Sequence, residues 1–225
     1  MSKIILYHGS QKIVEKPLLG AGKPYNDYGL GFYCTQSKEL AKEWACPSIS
    51  DGFANCYEFE TDGLKILDLQ GAEFCVLNWL AILVVNRRFD LDTPIMKNGV
   101  QYLSKNFLPD MSTFDVIKGY RADDSYFSFA RAFLSNQISY SQLQKAMKLG
   151  KLGEQIVLKS QKSFERIKYT GYEVASGKTY YLLRKKRMES AGENYRRSIE
   201  DDDISGLFIR DILLQEMKQD DTRLR

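Results

Sequence analysis

The chain has 225 residues, 44% of them hydrophobic and 27% charged, with a formal net charge of +3. That much apolar material supports a buried core, so disorder is not the default, and the length suits one medium domain or one domain with a modest appendage. The positive excess leans mildly toward anionic partners but is too small to make a nucleic-acid protein on charge alone.

In chain order, "MSKIILYHGS" has an apolar run of about four residues, too short for a secretory signal. Residues 4–8 read as a strand closed by Gly9 and Ser10, and His8 is the single histidine. Residues 11–30 form a loop with three glycines and two prolines, broken by "KPYNDYG". "GFYCT" (31–35) is a second, aromatic strand. Ser37 then caps a helix that sets Leu40, Ala41 and Trp44 on one face. Residues 54–63 and 64–69 alternate as strands. Residues 72–89 predict a buried helix, whose apolar run at 76–85 is about half of a membrane span and contains Asn78.

Farther on, 114–134 reads as strand, turn and helix, with Asp123, Asp124 or Ser125 as the N-cap. Residues 139–150 give a short helix stopped by Gly150. "GEQIVLKS" (153–160) is a strand, and 166–183 supplies one or two more. The composition changes at 184–203, a mixed-charge stretch read as a solvated linker or an exposed helix. Ile204, Leu207, Phe208 and Ile212 then fall at helical spacing, giving an amphipathic C-terminal helix packed on the same domain. The division expected is 1–183 for the main domain and 184–225 for the appended segment.

The elements do not alternate regularly and no GxGxxG follows the first strand, so a doubly wound nucleotide fold is disfavoured and α+β is expected. Cys34, Cys46, Cys56 and Cys75 form no CxxC pair. They read as free thiols in a reducing, cytoplasmic setting, with no metal and no membrane association.

Taken singly, His8 reads as structural, Trp44 as core, and the glycines of "YGLGFYCT" as a tight turn. Taken in order, they resemble the NAD-binding signature of the ADP-ribosyltransferase superfamily, in the branch that includes the poly(ADP-ribose) polymerases. "YHGS" (Tyr7, His8, Gly9, Ser10) ends the first strand. Gly29, Leu30, Gly31, Phe32 and Tyr33 match the Gly-x-Gly-aromatic-Tyr strand. Trp44 is the aromatic eleven residues beyond Tyr33, and "GEQIVLKS" stands where a late strand carries the catalytic residue. The middle of the chain, with "GYRADDSYF", resembles a bacterial family of ADP-ribosyltransferase-like proteins of unassigned function.

The resemblance implies a split mixed or antiparallel β core with flanking helices. It also implies NAD as substrate and transfer of ADP-ribose to a protein or nucleic acid, in a bacterial toxin or defence effector with a neutralising partner. His8 and Ser10 would hold the adenosine-side ribose, the Gly9 backbone the nicotinamide amide, and Tyr33 and Trp44 the nicotinamide ring. Gly31 lies on the strand that carries Tyr33. Cleavage of the nicotinamide–ribose bond passes through an oxocarbenium-like ribose, which hydrogen bonds to the 2-hydroxyl stabilise. For that contact the late strand offers Glu154 and Gln155, which must point to opposite faces. An ungapped reading favours Glu154, the related bacterial family Gln155, and the apolar residues that follow do not say which face is the cleft. A glutamine cannot take a proton from the acceptor, so a carboxylate from elsewhere assists or the acceptor is already nucleophilic. In "GYRADD", Asp123 and Asp124 are either helix N-caps with Arg121 as their ion-pair partner, or one of the two acids reaches the cleft while Arg121 contacts the pyrophosphate. The alternatives to a transferase are a degenerate NAD- or ADP-ribose-binding module and an NAD glycohydrolase.

Overall fold

The structure is a computed structural model that describes residues 2–122, 124–149, 154–201 and 203–224. In chain order its elements are β1 (Lys3–Ser10), β2 (Phe32–Cys34), α1 (Lys38–Ala45), β3 (Gly52–Glu60), β4 (Ile66–Asp68), α2 (Val76–Asn86), α3 (Pro94–Asn106), β5 (Val116–Tyr120), α4 (Asp124–Leu134), α5 (Tyr140–Leu149), β6 (Glu154–Leu158), α6 (Gln161–Glu165), β7 (Ile167–Ala175), α7 (Gly177–Glu200) and α8 (Ile209–Leu214). They make an α+β fold with two open sheets. One is antiparallel in the order β1-β3-β7, and the other runs β2-β6-β5-β4, with β4 parallel to β5 and the remaining pairs antiparallel.

The sheets bury a small core between them, built from Leu6, Phe32, Tyr57, Phe59, Val116, Ile156 and Leu158. The opposite face of the second sheet, with Ile117 and Val157, packs into a larger core of helices centred on Trp79, Leu80, Phe133 and Leu143. Both faces of β6 are therefore covered, which is why its side chains read as a continuous apolar run.

Backbone pairing links the two sheets at one isolated bridge. Tyr7 N–H donates to the Thr35 carbonyl at 2.8 Å and Thr35 N–H returns the bond to Tyr7 at 2.9 Å. An antiparallel ladder continued from that pair would next join Gly9 to Tyr33. Instead the strands part, and the His8 ring bonds the Tyr33 carbonyl through Nδ1 at 2.8 Å. Helix α1 lies against the opened end of β1. Gly9 is required there by close approach, because a Cβ would stand 2.0 Å from the Ala41 carbonyl oxygen. Ser37 caps α1 by accepting from Leu40 N–H, as its sequence predicts. Arg187 of α7 clamps the buried Glu43 of α1 through two bonds, 2.9 and 2.6 Å long.

Several expectations need correction. Helix α3 has no counterpart among the expected elements, although Thr93 accepts from Met96 N–H and Pro94 occupies the first turn, a recognisable start signal. Of the one or two strands expected over 166–183 there is one, β7, because Gly177 donates to Asp51 Oδ1 at 2.9 Å and α7 begins there. Of the two readings of the mixed-charge stretch from 184, the structure shows the helix: the stretch continues α7, and position 183/184 falls inside it. The C-terminal helix starts at Ile209 instead of Ile204. Gly206 turns back onto Asp203 at 3.0 Å, Asp203 is held by Ser139 and Ser141, and Ile204 is left 86% exposed. Ile209 and Ile212 are buried in the larger core. Among the described residues no helix is long and apolar enough to cross a membrane; in α2, Asn78 is buried and satisfied by donating to the Phe107 carbonyl at 2.8 Å.

A methyl group at position 9 must displace the α1 backbone, so Gly9→Ala is expected to lower stability in urea by about 1–3 kcal/mol. Gly192→Ala, a helical site where a Cβ meets nothing within 4 Å, should raise it by about 0.5–1 kcal/mol.

Candidate functional site

A cleft of about 420 Å³ opens where β1 and β2 part. It is lined by His8 of β1, Tyr33 of β2, Trp44 of α1, Gln155 of β6, Arg121 and Ala122 beyond β5, Arg87 beyond α2, and the loop before β2 through Gly31. Seven residues singled out in the sequence therefore converge here: His8, Gly31, Phe32, Tyr33, Trp44, Arg121 and Gln155.

His8 is oriented by two neighbours. Nδ1 bonds a carbonyl, which can only accept, so in the neutral ring Nδ1 carries the proton and Nε2 is an acceptor. The ring lies 4.5 Å from Phe32, centroid to centroid. Burial holds its pKa below the ordinary 6.5, against a smaller upward pull from the Tyr33 carbonyl. The Tyr33 hydroxyl donates to the Gly29 carbonyl at 2.6 Å and accepts from Tyr28 N–H at 3.1 Å. Burial pushes this phenol far above its usual range. The hydroxyl is thus committed to the loop, and the ring is what remains as a wall. Gly29 makes that loop possible with φ of 70°, in the left-handed region that favours glycine.

Gln155 is 6% exposed, and its Oε1 is buried without a hydrogen-bond partner among the described residues. Trp44 Nε1 is in the same state. A buried polar atom left unpaired costs about 1–3 kcal/mol, so these two atoms mark the places where a ligand's polar groups would be recovered. The Arg121 guanidinium lies 4.5 Å above the Trp44 ring. It fixes the indole and brings a positive charge to the cleft wall.

Other candidates are placed outside the cleft lining. Glu154 does not line the cleft; neighbouring strand residues alternate sides, and its carboxylate pairs with Lys118 at 3.1 Å. Gly9 and Ser10 are also outside the lining. Gly9 packs on α1, and the Ser10 hydroxyl is held by the loop and by β3, accepting from Lys12 N–H at 3.3 Å and from Asn55 Nδ2 at 3.4 Å. Asp123 lies outside the described residues.

Two charged residues went unrecognised in the sequence. Asp27 is 5% exposed, accepts from Ala122 N–H at 2.9 Å, and faces Arg87 at 3.6 Å. It is the one acid among the described residues that line the cleft. Its only signal was its place in "KPYNDYG", read simply as a loop. The loop is fastened beside it. Tyr28 OH donates to the Tyr120 carbonyl at 2.6 Å, and the Lys159 ammonium donates to the Tyr28 carbonyl at 2.6 Å and also to that of Leu30. Burial lowers the Lys159 pKa.

The arrangement defines an α+β protein with a cleft at the junction of two sheets. Residues 4–169 match the family described as "Protein of unknown function (DUF3990)", and the chain belongs to that family. The matched span contains every residue that lines the cleft. No curated protein and no solved structure matches the chain.

Because His8 is the only imidazole, its state can be measured directly. Long-range nitrogen–proton spectra are expected to show one neutral ring protonated at Nδ1 near pH 7, with a pKa below 6.5. The unfolded chain binds a proton that the folded chain refuses, so the stability due to His8 is present above pH 6.5 and lost as the pH falls below it. His8→Asn should flatten this part of the pH–stability curve.

Proposed function

We propose that the protein is an NAD-dependent mono-ADP-ribosyltransferase acting on a macromolecular acceptor. The observation that carries this reading is the unpartnered Oε1 of Gln155, set in the same cleft as His8, Tyr33 and Trp44. The separation of the sheets beyond the Tyr7–Thr35 bridge supports the finer assignment of an ADP-ribosyltransferase-like split core.

The roles follow from what each group can do. His8 Nε2 accepts from a ribose hydroxyl. Gly9 contributes its backbone alone: by alternation along the ladder its N–H and C=O point away from β3 toward the split, where they can meet a carboxamide. The Tyr33 ring and Trp44 sandwich the nicotinamide, and Trp44 Nε1 donates to the ligand. Arg87 and Arg121 offset the pyrophosphate charge. Gln155 Oε1 accepts from the ribose 2-hydroxyl, a bond that strengthens as positive charge develops on the sugar. The C–N bond to nicotinamide breaks with its electron pair leaving on the ring nitrogen, and the acceptor nucleophile bonds to the anomeric carbon. Gln155 cannot take the nucleophile's proton, whereas the carboxylate of Asp27, which accepts from the Ala122 amide and faces Arg87, can act as the proton acceptor.

The test uses labelled NAD and cell lysate. Wild type should transfer label to macromolecules. Gln155→Ala and Asp27→Asn should each reduce transfer by about 10²–10³-fold, with Glu154→Ala within a few-fold of wild type. Equal, near-wild-type activity in the Gln155 and Glu154 variants would refute the assignment. Free ADP-ribose without transfer would make the protein a glycohydrolase, NAD binding without turnover a binding module, and no NAD binding would end this reading. The toxin or defence role predicts growth arrest when wild type, and not Gln155→Ala, is expressed in bacteria.

A further inference from the structure

Arg87 lines two concavities. Besides the cleft, it borders an open pocket of about 480 Å³ with Tyr25, Arg88 and Phe127. The pocket combines cations with aromatic faces: the Arg88 guanidinium lies 4.6 Å over the Tyr25 ring, and the Arg87 guanidinium 5.6 Å over Phe127, which also stacks on Phe89 at 4.2 Å. Tyr25 is 57% exposed. Arg88 has no carboxylate within ion-pair distance among the described residues, because the nearby acids in sequence, Asp90 and Asp92, are both turned to Arg131.

We infer that this pocket binds single-stranded nucleic acid and presents it to the cleft, so that the acceptor is a nucleotide of the strand; its role as an acceptor site rests on the transferase reading. An exposed tyrosine with a planar guanidinium stacked on it offers a base two kinds of π surface, and an arginine with no carboxylate partner among the described residues offers a phosphate a bidentate donor. An acidic peptide would use the cation and leave the aromatic faces idle. Arg87, shared by both concavities, sets the strand beside the ribose that is attacked.

Fluorescence anisotropy with labelled 12-nucleotide single-stranded RNA and DNA tests this, with wild type, Tyr25→Ala and Arg88→Ala and no NAD present. Tyr25→Ala is expected to weaken binding roughly fivefold to a hundredfold with the salt dependence unchanged. Arg88→Ala should weaken it as well and reduce the slope of log K against log salt by about 0.7. The RNA and DNA arms identify which strand is preferred. Both variants should keep wild-type NAD affinity by calorimetry, since neither residue lines the cleft. No strand binding, equal binding by all three proteins, or displacement of the strand by poly-glutamate with Tyr25→Ala silent would overturn the inference, the last in favour of an acidic protein partner. Strand binding without NAD binding would leave the nucleic-acid site standing and remove the transferase reading, while NAD turnover without strand binding would do the reverse.

Discussion

The structure depends on a ladder that stops. Tyr7 and Thr35 exchange both backbone bonds, and one step further the strands have separated, with an imidazole bonded to a carbonyl that a strand would have paired. A sheet that parts in this way exposes backbone polar groups, and each must find a partner or face a cavity. Here the gap is held open by α1 on one side and filled by His8 on the other. The cleft is the space that remains. Its walls come from β1, β2, β6 and α1 because those are the elements bordering the break.

Holding α1 in place falls to a helix that the charge pattern disguised. In α7 the run "RKKR" reads as a solvated face, yet Arg187 within it grips Glu43, which is only 5% exposed. Removing one partner of such a pair leaves a buried charge without compensation, at a cost of about 3–5 kcal/mol. Because Trp44 adjoins Glu43 on α1, the wall of the cleft is braced from a part of the chain that lies beyond the family match.

Legibility from sequence followed the local character of each signal. Capping at Ser37, the punctuation after Ser10 and the apolar run of α2 are written in neighbouring residues, and those elements stand where expected. The order His8, Tyr33, Trp44 pointed to residues that do share a cleft. The choice between Glu154 and Gln155 could not be read, because Ile156 and Leu158 enter the small core while Val157 enters the large one, so no polar face remains to give the alternation away. Asp27 was invisible for a related reason: what distinguishes it is the Ala122 amide ninety-five positions away, and nothing in "YNDYG" announces such a partner. Ile204 misled because the turn that exposes it is imposed by Ser139 and Ser141 on Asp203, contacts equally remote in sequence.

The loop before β2 has two unlike halves. From Asp27 to Leu30 it is tied down by Asn86, Tyr120, Lys159 and the Tyr33 hydroxyl. Before that, Leu18, Leu19 and Tyr25 stand exposed at 62%, 48% and 57%. Mutational drift therefore meets opposite constraints within one short segment. The tethered half is fixed by the fold itself, whereas the exposed side chains at 18, 19 and 25 can be rewritten with little effect on stability, leaving a lineage free to change what it admits at the mouth of the cleft while inheriting the same interior.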